Sequence, residues 1–79
     1  MDIEFGRMVA GSANYAAAEI GNLMPFIKDR VSEQEGEKLR LAIGSAVYET
    51  MEIMERVFEL CPGLKEEFEA RLEKYGRCY

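Results

Sequence analysis

Residues 6–21, GRMVAGSANYAAAEIG, decide the fold of this chain. Small side chains recur in this stretch every three or four residues, at Gly6, Ala10, Ala13, Ala17 and Gly21. At roughly 100° per residue, they share one narrow sector of an α-helix. Each glycine costs a helix about 1 kcal/mol relative to alanine, so close packing must offset that cost. This small-residue stripe therefore predicts a helix built for close contact with another helix.

A larger apolar stripe lies beside the small one on the same helix. Steps of four and three residues, the spacing of a coiled-coil seam, join Val9, Ala13, Ala16, Ile20, Leu23 and Ile27. The pattern predicts helix 1 over about residues 3–30, with a kink near residues 21–25 because Pro25 cannot donate a backbone hydrogen bond. We expect this large apolar stripe to pack on the next helix. The small-residue stripe would then serve a dimer twofold or a partner helix.

The sequence Ser32-Glu33-Gln34-Glu35 marks the start of the second helix. A serine followed three residues later by glutamate is a capping box, in which each side chain bonds to the other residue's backbone N–H. Helix 2 is predicted over about residues 33–60. The link between the two helices is only two or three residues long, so they should be antiparallel neighbours.

Helix 2 carries an unusually wide apolar arc. Its main seam comprises Leu39, Ile43, Ala46, Thr50, Ile53, Val57 and Leu60, and its flank comprises Val47, Met51, Met54, Phe58 and Cys61. Such an arc spans about half the helix circumference, more than one hairpin partner covers. The sequence therefore predicts a homodimer that forms a helical bundle.

The chain ends in a short third helix. Pro62 and Gly63 terminate helix 2. An apolar stripe predicts helix 3 over about residues 64–75, and its members are Leu64, Phe68, Leu72 and Tyr75. No strand-like alternation is present. We therefore expect one all-α domain over residues 1–79: a long antiparallel hairpin with a short C-terminal helix.

The composition limits the classes of partner and the cellular location that we expect for this chain. The chain has 79 residues, a net charge of −5 and no histidine. An acidic protein is repelled by nucleic acid and by anionic membranes, so we expect neither as a direct partner. The N-terminus is acidic where a signal peptide is basic, and no apolar run is long enough to span a membrane. We expect a protein of the cytoplasm, or of the cytoplasm of a host cell, with Cys61 and Cys78 as free thiols.

Catalytic chemistry has little support in this composition. Without histidine, the usual general base and metal ligand at neutral pH are absent, so no cofactor or catalytic residue is expected. One alternative is a small divalent-metal-dependent hydrolase built on two glutamate pairs. Those pairs, each spaced by three residues, are Glu52 with Glu55 and Glu66 with Glu69.

The polar side of helix 2 is the candidate partner-binding site. This acidic ridge comprises Glu49, Glu52, Glu55 and Glu59, with Tyr48 beside them. It could meet a basic surface on a protein, including a groove that binds nucleic acid, or it could be only a solvated face. We interpret the chain as a non-enzymatic protein-binding module, an adaptor or inhibitor. A phage or mobile-element inhibitor of a host defence nuclease is one version, and a structural oligomerisation element is a further alternative.

Overall fold

The computed structural model describes residues 1–75, without the side chain of Tyr75, and they are helical with short connections. Helix α1 spans Ile3–Gly21, α2 spans Met24–Ile27, α3 spans Glu33–Leu60 and α4 spans Leu64–Tyr75. Helices α1 and α2 occupy the region predicted as helix 1, and α2 ends three residues before the expected end. The free thiol expected at Cys78 lies outside the described residues.

Helix α3 begins with the predicted capping box, which the structure confirms. The backbone N–H of Glu35 donates to Ser32 Oγ at 3.2 Å, and the backbone N–H of Ser32 donates to Glu35 Oε1 at 3.0 Å. The hydrogen bond from the Ser32 backbone lowers the pKa of the Glu35 carboxyl, and the hydrogen bond with the Ser32 hydroxyl lowers it further. Two otherwise unpaired N–H groups are thus satisfied at the start of the longest helix.

The first helical region breaks between Gly21 and Pro25. Helix α1 ends at Gly21, and the N–H of Asn22 still bonds to the carbonyl of Ala18 at 3.0 Å. Pro25 lies in the first turn of α2. A first turn has no intrahelical partner for that N–H, so proline costs little there. The chain therefore restarts a helix at this proline instead of bending one continuous helix around it.

The first three positions of the small-residue stripe are buried inside the chain. Gly6, Ala10 and Ala13 are buried, and a Cβ added to Gly6 would lie 2.7 Å from Cys61 Sγ and 3.5 Å from Val57 Cγ1. Gly6 therefore packs against α3 of its own chain, and the contact of this stripe with a second chain stays a prediction. The lack of bulk at these positions lets α1 approach the end of α3, which is the close packing that offsets the cost of Gly6.

The core lies at one end of the molecule, where α1, α3 and α4 meet. Its buried members are Ala10, Val57, Cys61, Leu64 and Phe68, and Val9, Met54 and Phe58 pack against them. At the other end, buried Ile27 lies against Gly36, whose added Cβ would be 3.1 Å from Ile27 Cγ2. The start of α1 thus lies against the end of α3, and α2 lies against its start. These contacts are compatible with a hairpin.

Helix α4 is held to the hairpin by an ion pair and an aromatic contact. Gly63, with φ of 94°, makes the turn after α3 in a backbone region that favours glycine. Arg7 Nε on α1 donates a hydrogen bond to Glu67 Oε1 on α4 at 2.8 Å. The rings of Phe58 and Phe68 meet edge to face with centroids 5.6 Å apart. These contacts place α4 against the start of α1 and the end of α3.

The contact between Arg7 and Glu67 should make stability depend on pH. Hydrogen bonding from Arg7, with the charges of Arg7 and Arg71, lowers the pKa of Glu67 below its ordinary 4.5. As pH falls, the unfolded chain therefore takes up this proton before the folded chain does. The stabilisation is present above about pH 4.5 and is lost as pH falls through the folded pKa.

We expect Glu67→Gln to be less stable than the parent chain at neutral pH, with the difference shrinking below pH 4.5. Urea unfolding at a series of pH values measures this difference. Glu66→Gln, at an exposed position on the same helix, is the control. A Glu67→Gln deficit that stays constant down to pH 3 contradicts the assignment.

Candidate interaction surfaces

An apolar groove lies between α1 and α3. Its walls include Phe5, Met8 and Ile53, which are exposed although large and apolar. The Thr50 hydroxyl in this groove donates to the carbonyl of Val47 at 2.6 Å, so it does not need an outside partner. The groove is lined by Phe5, Met8, Val9, Ser12, Ala13, Ala16, Thr50 and Ile53.

The groove takes its α1 lining from both stripes, because Ala13 belongs to each of them. Val9 and Ala16 belong to the large apolar stripe and line the open groove, while Gly6 and Ala10 of the small-residue stripe are buried. Ala17 and Gly21 are half-buried. Gly6 and Ala10 lie inward because small residues admit the closest helix approach, while Val9 packs against the core and also lines the groove. The surface available to a second molecule is therefore the groove.

The acidic ridge follows the outer side of α3. Glu49, Glu55 and Glu59 are exposed there, and Glu52 is half-buried. Arg56 lies 3.8 Å from Glu52 and 3.7 Å from Glu59. Ion pairs this long and this exposed contribute little to stability, so they leave Arg56 and the glutamates able to exchange partners.

Tyr48 lies beside the ridge with its side chain exposed. The negative charge of Glu52, and a hydrogen bond between the hydroxyl and Glu52, raise the pKa of Tyr48. The side chain is 60% exposed and lies close to the charge of Glu52. Tyrosine with this combination of apolar body and polar tip is common in the cores of protein interfaces.

Leu41 extends this surface and was not among the predicted site residues. It is 69% exposed and lies two turns before Tyr48 on the same side of α3. Gly44 and Ser45 form the low floor between them, in a shallow hollow that Arg40 and Glu49 also line. The seven-residue spacing of Leu41 and Tyr48, outside the apolar arc, is the sequence signal that could have identified the pair.

The two glutamate pairs do not form a common site. Glu52 and Glu55 lie on α3, while Glu66 and Glu69 are exposed on α4. Among residues 1–75, no three or more His, Cys, Asp or Glu side chains come close enough to hold a metal ion. The four-glutamate arrangement needed for the alternative hydrolase is therefore not assembled in the described part of the chain.

Among residues 1–75, neither Cys61 nor a membrane-spanning segment contributes to these surfaces. Cys61 is buried and makes no disulfide, and its thiol lies 3.8 Å from the carbonyl oxygen of Met1. Within the described residues, none of the helices combines the length and the apolar composition needed to cross a membrane.

Comparisons with known proteins add no family assignment. No family model matches the chain, and no curated protein or solved structure is significantly similar to it. The functional argument therefore depends on the two surfaces described above.

Proposed function

We propose that this chain is a non-enzymatic protein-binding module, an adaptor or inhibitor that acts by occupying a surface of its partner. The observation that carries the proposal is the exposed pair of Leu41 and Tyr48 beside the acidic ridge. Apolar and aromatic anchors next to a rim of charge are the arrangement of a protein-binding surface. The partner that fits this surface is a protein with a basic patch around an apolar hollow.

The ridge and the anchors would play different parts in binding. The ridge glutamates attract a basic surface over a distance and raise the association rate, an effect that salt weakens. Lysine or arginine side chains of the partner can replace Arg56 at Glu52 and Glu59, because the present pairs are long and exposed. Leu41 and Tyr48 then supply the apolar contact that slows dissociation.

Inhibition of a host defence nuclease, with the module encoded by a phage or mobile element, is the most specific version of this proposal. A row of carboxylates on a helix can occupy a basic groove that normally holds a phosphate backbone. The version is supported by the small size, the net charge of −5 and the exposed ridge. Under it, a captured partner would lose nucleic-acid binding when the module is present.

A homodimer of antiparallel helical hairpins is the second part of the proposal. The exposed apolar groove favours it, because large open apolar surfaces on small proteins commonly mark association sites. The same observation favours the other candidate function, a structural oligomerisation element. The two functions differ in whether a basic partner binds at the ridge, whereas no arrangement within residues 1–75 favours the hydrolase.

Charge reversal on the ridge tests partner binding. We expect Glu52→Lys combined with Glu55→Lys to weaken capture of the partner about tenfold or more, because attraction becomes repulsion at the centre of the ridge. Affinity capture with mass spectrometry identifies the partner, and its dissociation constant is then measured at low and high salt.

The matched control changes the net charge equally on another helix. Glu66→Lys combined with Glu69→Lys reverses two exposed carboxylates on α4 and should leave binding within a few-fold of the parent. Equal losses in both double variants would mean that net charge alone matters. Unchanged capture after reversal of the ridge would remove the ridge from the binding site.

A further inference from the structure

We propose that a second copy of this chain covers the apolar groove, with the dimer twofold crossing α3 beside Ile53. The inference rests on the homodimer proposed above and assigns its face, its axis and its charge pairing. In this arrangement the two α3 helices run antiparallel across the axis. Glu49 lies at the interface, and the other members of the acidic ridge, Glu52, Glu55 and Glu59, remain open to another partner.

The first observation is an apolar row that continues the groove along α3. Residues spaced by seven lie on one side of a helix, which is the spacing of a coiled-coil seam. Leu39, Ile53 and Leu60 in this row are 43%, 45% and 54% exposed although large and apolar. The members of this α3 row are Leu39, Ala46, Ile53 and Leu60.

The second observation is how little large apolar surface the single chain encloses. Among residues 1–75, the large apolar side chains that are buried are Ile27, Val57, Leu64 and Phe68. Phe5 and Met8, in contrast, are at least half exposed on the groove. A small domain with so few enclosed side chains gains most from burying a ready-made apolar face against a copy of itself.

The third observation selects a second copy with an antiparallel arrangement. Glu49 and Arg56 flank the row on its outer edge, seven residues apart and opposite in charge. Their midpoint falls between residues 52 and 53, beside Ile53. A twofold through that point exchanges the two positions, so Glu49 of each copy faces Arg56 of the other. An interface of this kind is self-complementary, as a twofold dimer requires.

The parallel alternative is disfavoured by the same pair. A parallel pairing of the two α3 helices would set Glu49 beside Glu49 and Arg56 beside Arg56, and like charges at an interface are costly. The antiparallel axis also sets Ile53 against Ile53 and Leu60 near Ala46. A large side chain then fits against a small one, which is how packed layers interdigitate.

Charge exchange tests the pairing directly. We expect either single variant, Glu49→Lys or Arg56→Glu, to raise the dimer dissociation constant about tenfold. Each variant sets like charges against each other at positions 49 and 56, and the twofold repeats that contact once more. The double variant restores opposite charges and should return to within about threefold of the parent. Analytical ultracentrifugation over a micromolar concentration series measures all four proteins.

Matched controls separate the interface from net charge. Glu55→Lys and Lys65→Glu make the same charge changes at exposed positions away from the row and should leave dissociation within about threefold of the parent. A symmetric crosslink gives an independent readout. Ile53→Cys, with Cys61 and Cys78 replaced by alanine, should form a disulfide dimer under mild oxidation, whereas Ser45→Cys in that background should not.

Three results would overturn the inference. They are a monomer throughout the concentration series, a double variant as weak as the weaker single variant, and a crosslink at Ser45→Cys in place of Ile53→Cys. A monomer that still captures a basic partner through the ridge would reject the dimer and keep the binding module. A dimer with the expected charge pairing that captures no such partner would keep this inference and leave an oligomerisation element as the function.

Discussion

Leu64→Ala is expected to lower the free energy of unfolding by about 3 kcal/mol, a large share of the stability of a domain this size. Leu64 begins α4, has 0% of its surface exposed and belongs to the core cluster with Ala10 and Val57. Shortening it removes buried methyl groups and leaves a cavity at the junction of three helices.

Leu72→Ala is the matched control for Leu64→Ala. It makes the same chemical change on the same helix, at a position that is 47% exposed. Its cost should stay below about 1 kcal/mol. Urea unfolding followed by circular dichroism measures both variants, at a fixed protein concentration because association adds to apparent stability. Equal losses at the two positions would contradict the packing of α4 described here.

Gly6→Ala and Gly11→Ala are expected to change stability in opposite directions. Alanine favours a helix over glycine by about 1 kcal/mol, and a Cβ on Gly11 would meet nothing within 4 Å, so Gly11→Ala should stabilise the chain by up to that amount. A Cβ on Gly6 would meet Cys61 Sγ at 2.7 Å, deep in the core. Overpacking of this kind costs about 1–3 kcal/mol and should outweigh the gain in helix propensity.

Removing the opposing sulfur tests the cause of the Gly6 effect. Cys61→Ala empties the place that the new Cβ would occupy, so Gly6→Ala should cost less in that background than in the parent. The two single changes are then coupled, and a double-mutant cycle of unfolding free energies measures the coupling. Additive changes, or stabilisation by Gly6→Ala in the parent chain, would contradict the close approach of α1 to Cys61.

Local chemistry accounts for much of the fold that the sequence predicted. The all-α class follows from helical periodicity, and the start of α3 follows from the reciprocal bonds of Ser32 and Glu35, which need no tertiary contact. The break before Pro25 and the turn at Gly63 are likewise properties of those residues and their immediate neighbours. Such features are readable because their causes lie within one helical turn.

The placement of surfaces needed the tertiary structure. Two neighbouring stripes on α1 were visible in the sequence, but only packing decides which one turns inward. Gly6 and Ala10 lie in the buried position because α3 and α4 approach closely there, with Cys61 against Gly6. Val9 lies at the groove. The same dependence explains the partnership of Arg7 with Glu67, sixty residues apart.

The sequence by itself determined that this chain is helical, where α3 begins, and that α3 carries an acidic ridge beside a wide apolar arc. The tertiary structure alone decided that the small-residue stripe closes the core, that the glutamates of α3 and α4 stay apart, and that an apolar groove remains open. The physical reason is range: capping, proline and periodicity act along one helix, whereas burial is set by which distant side chains can fit against each other.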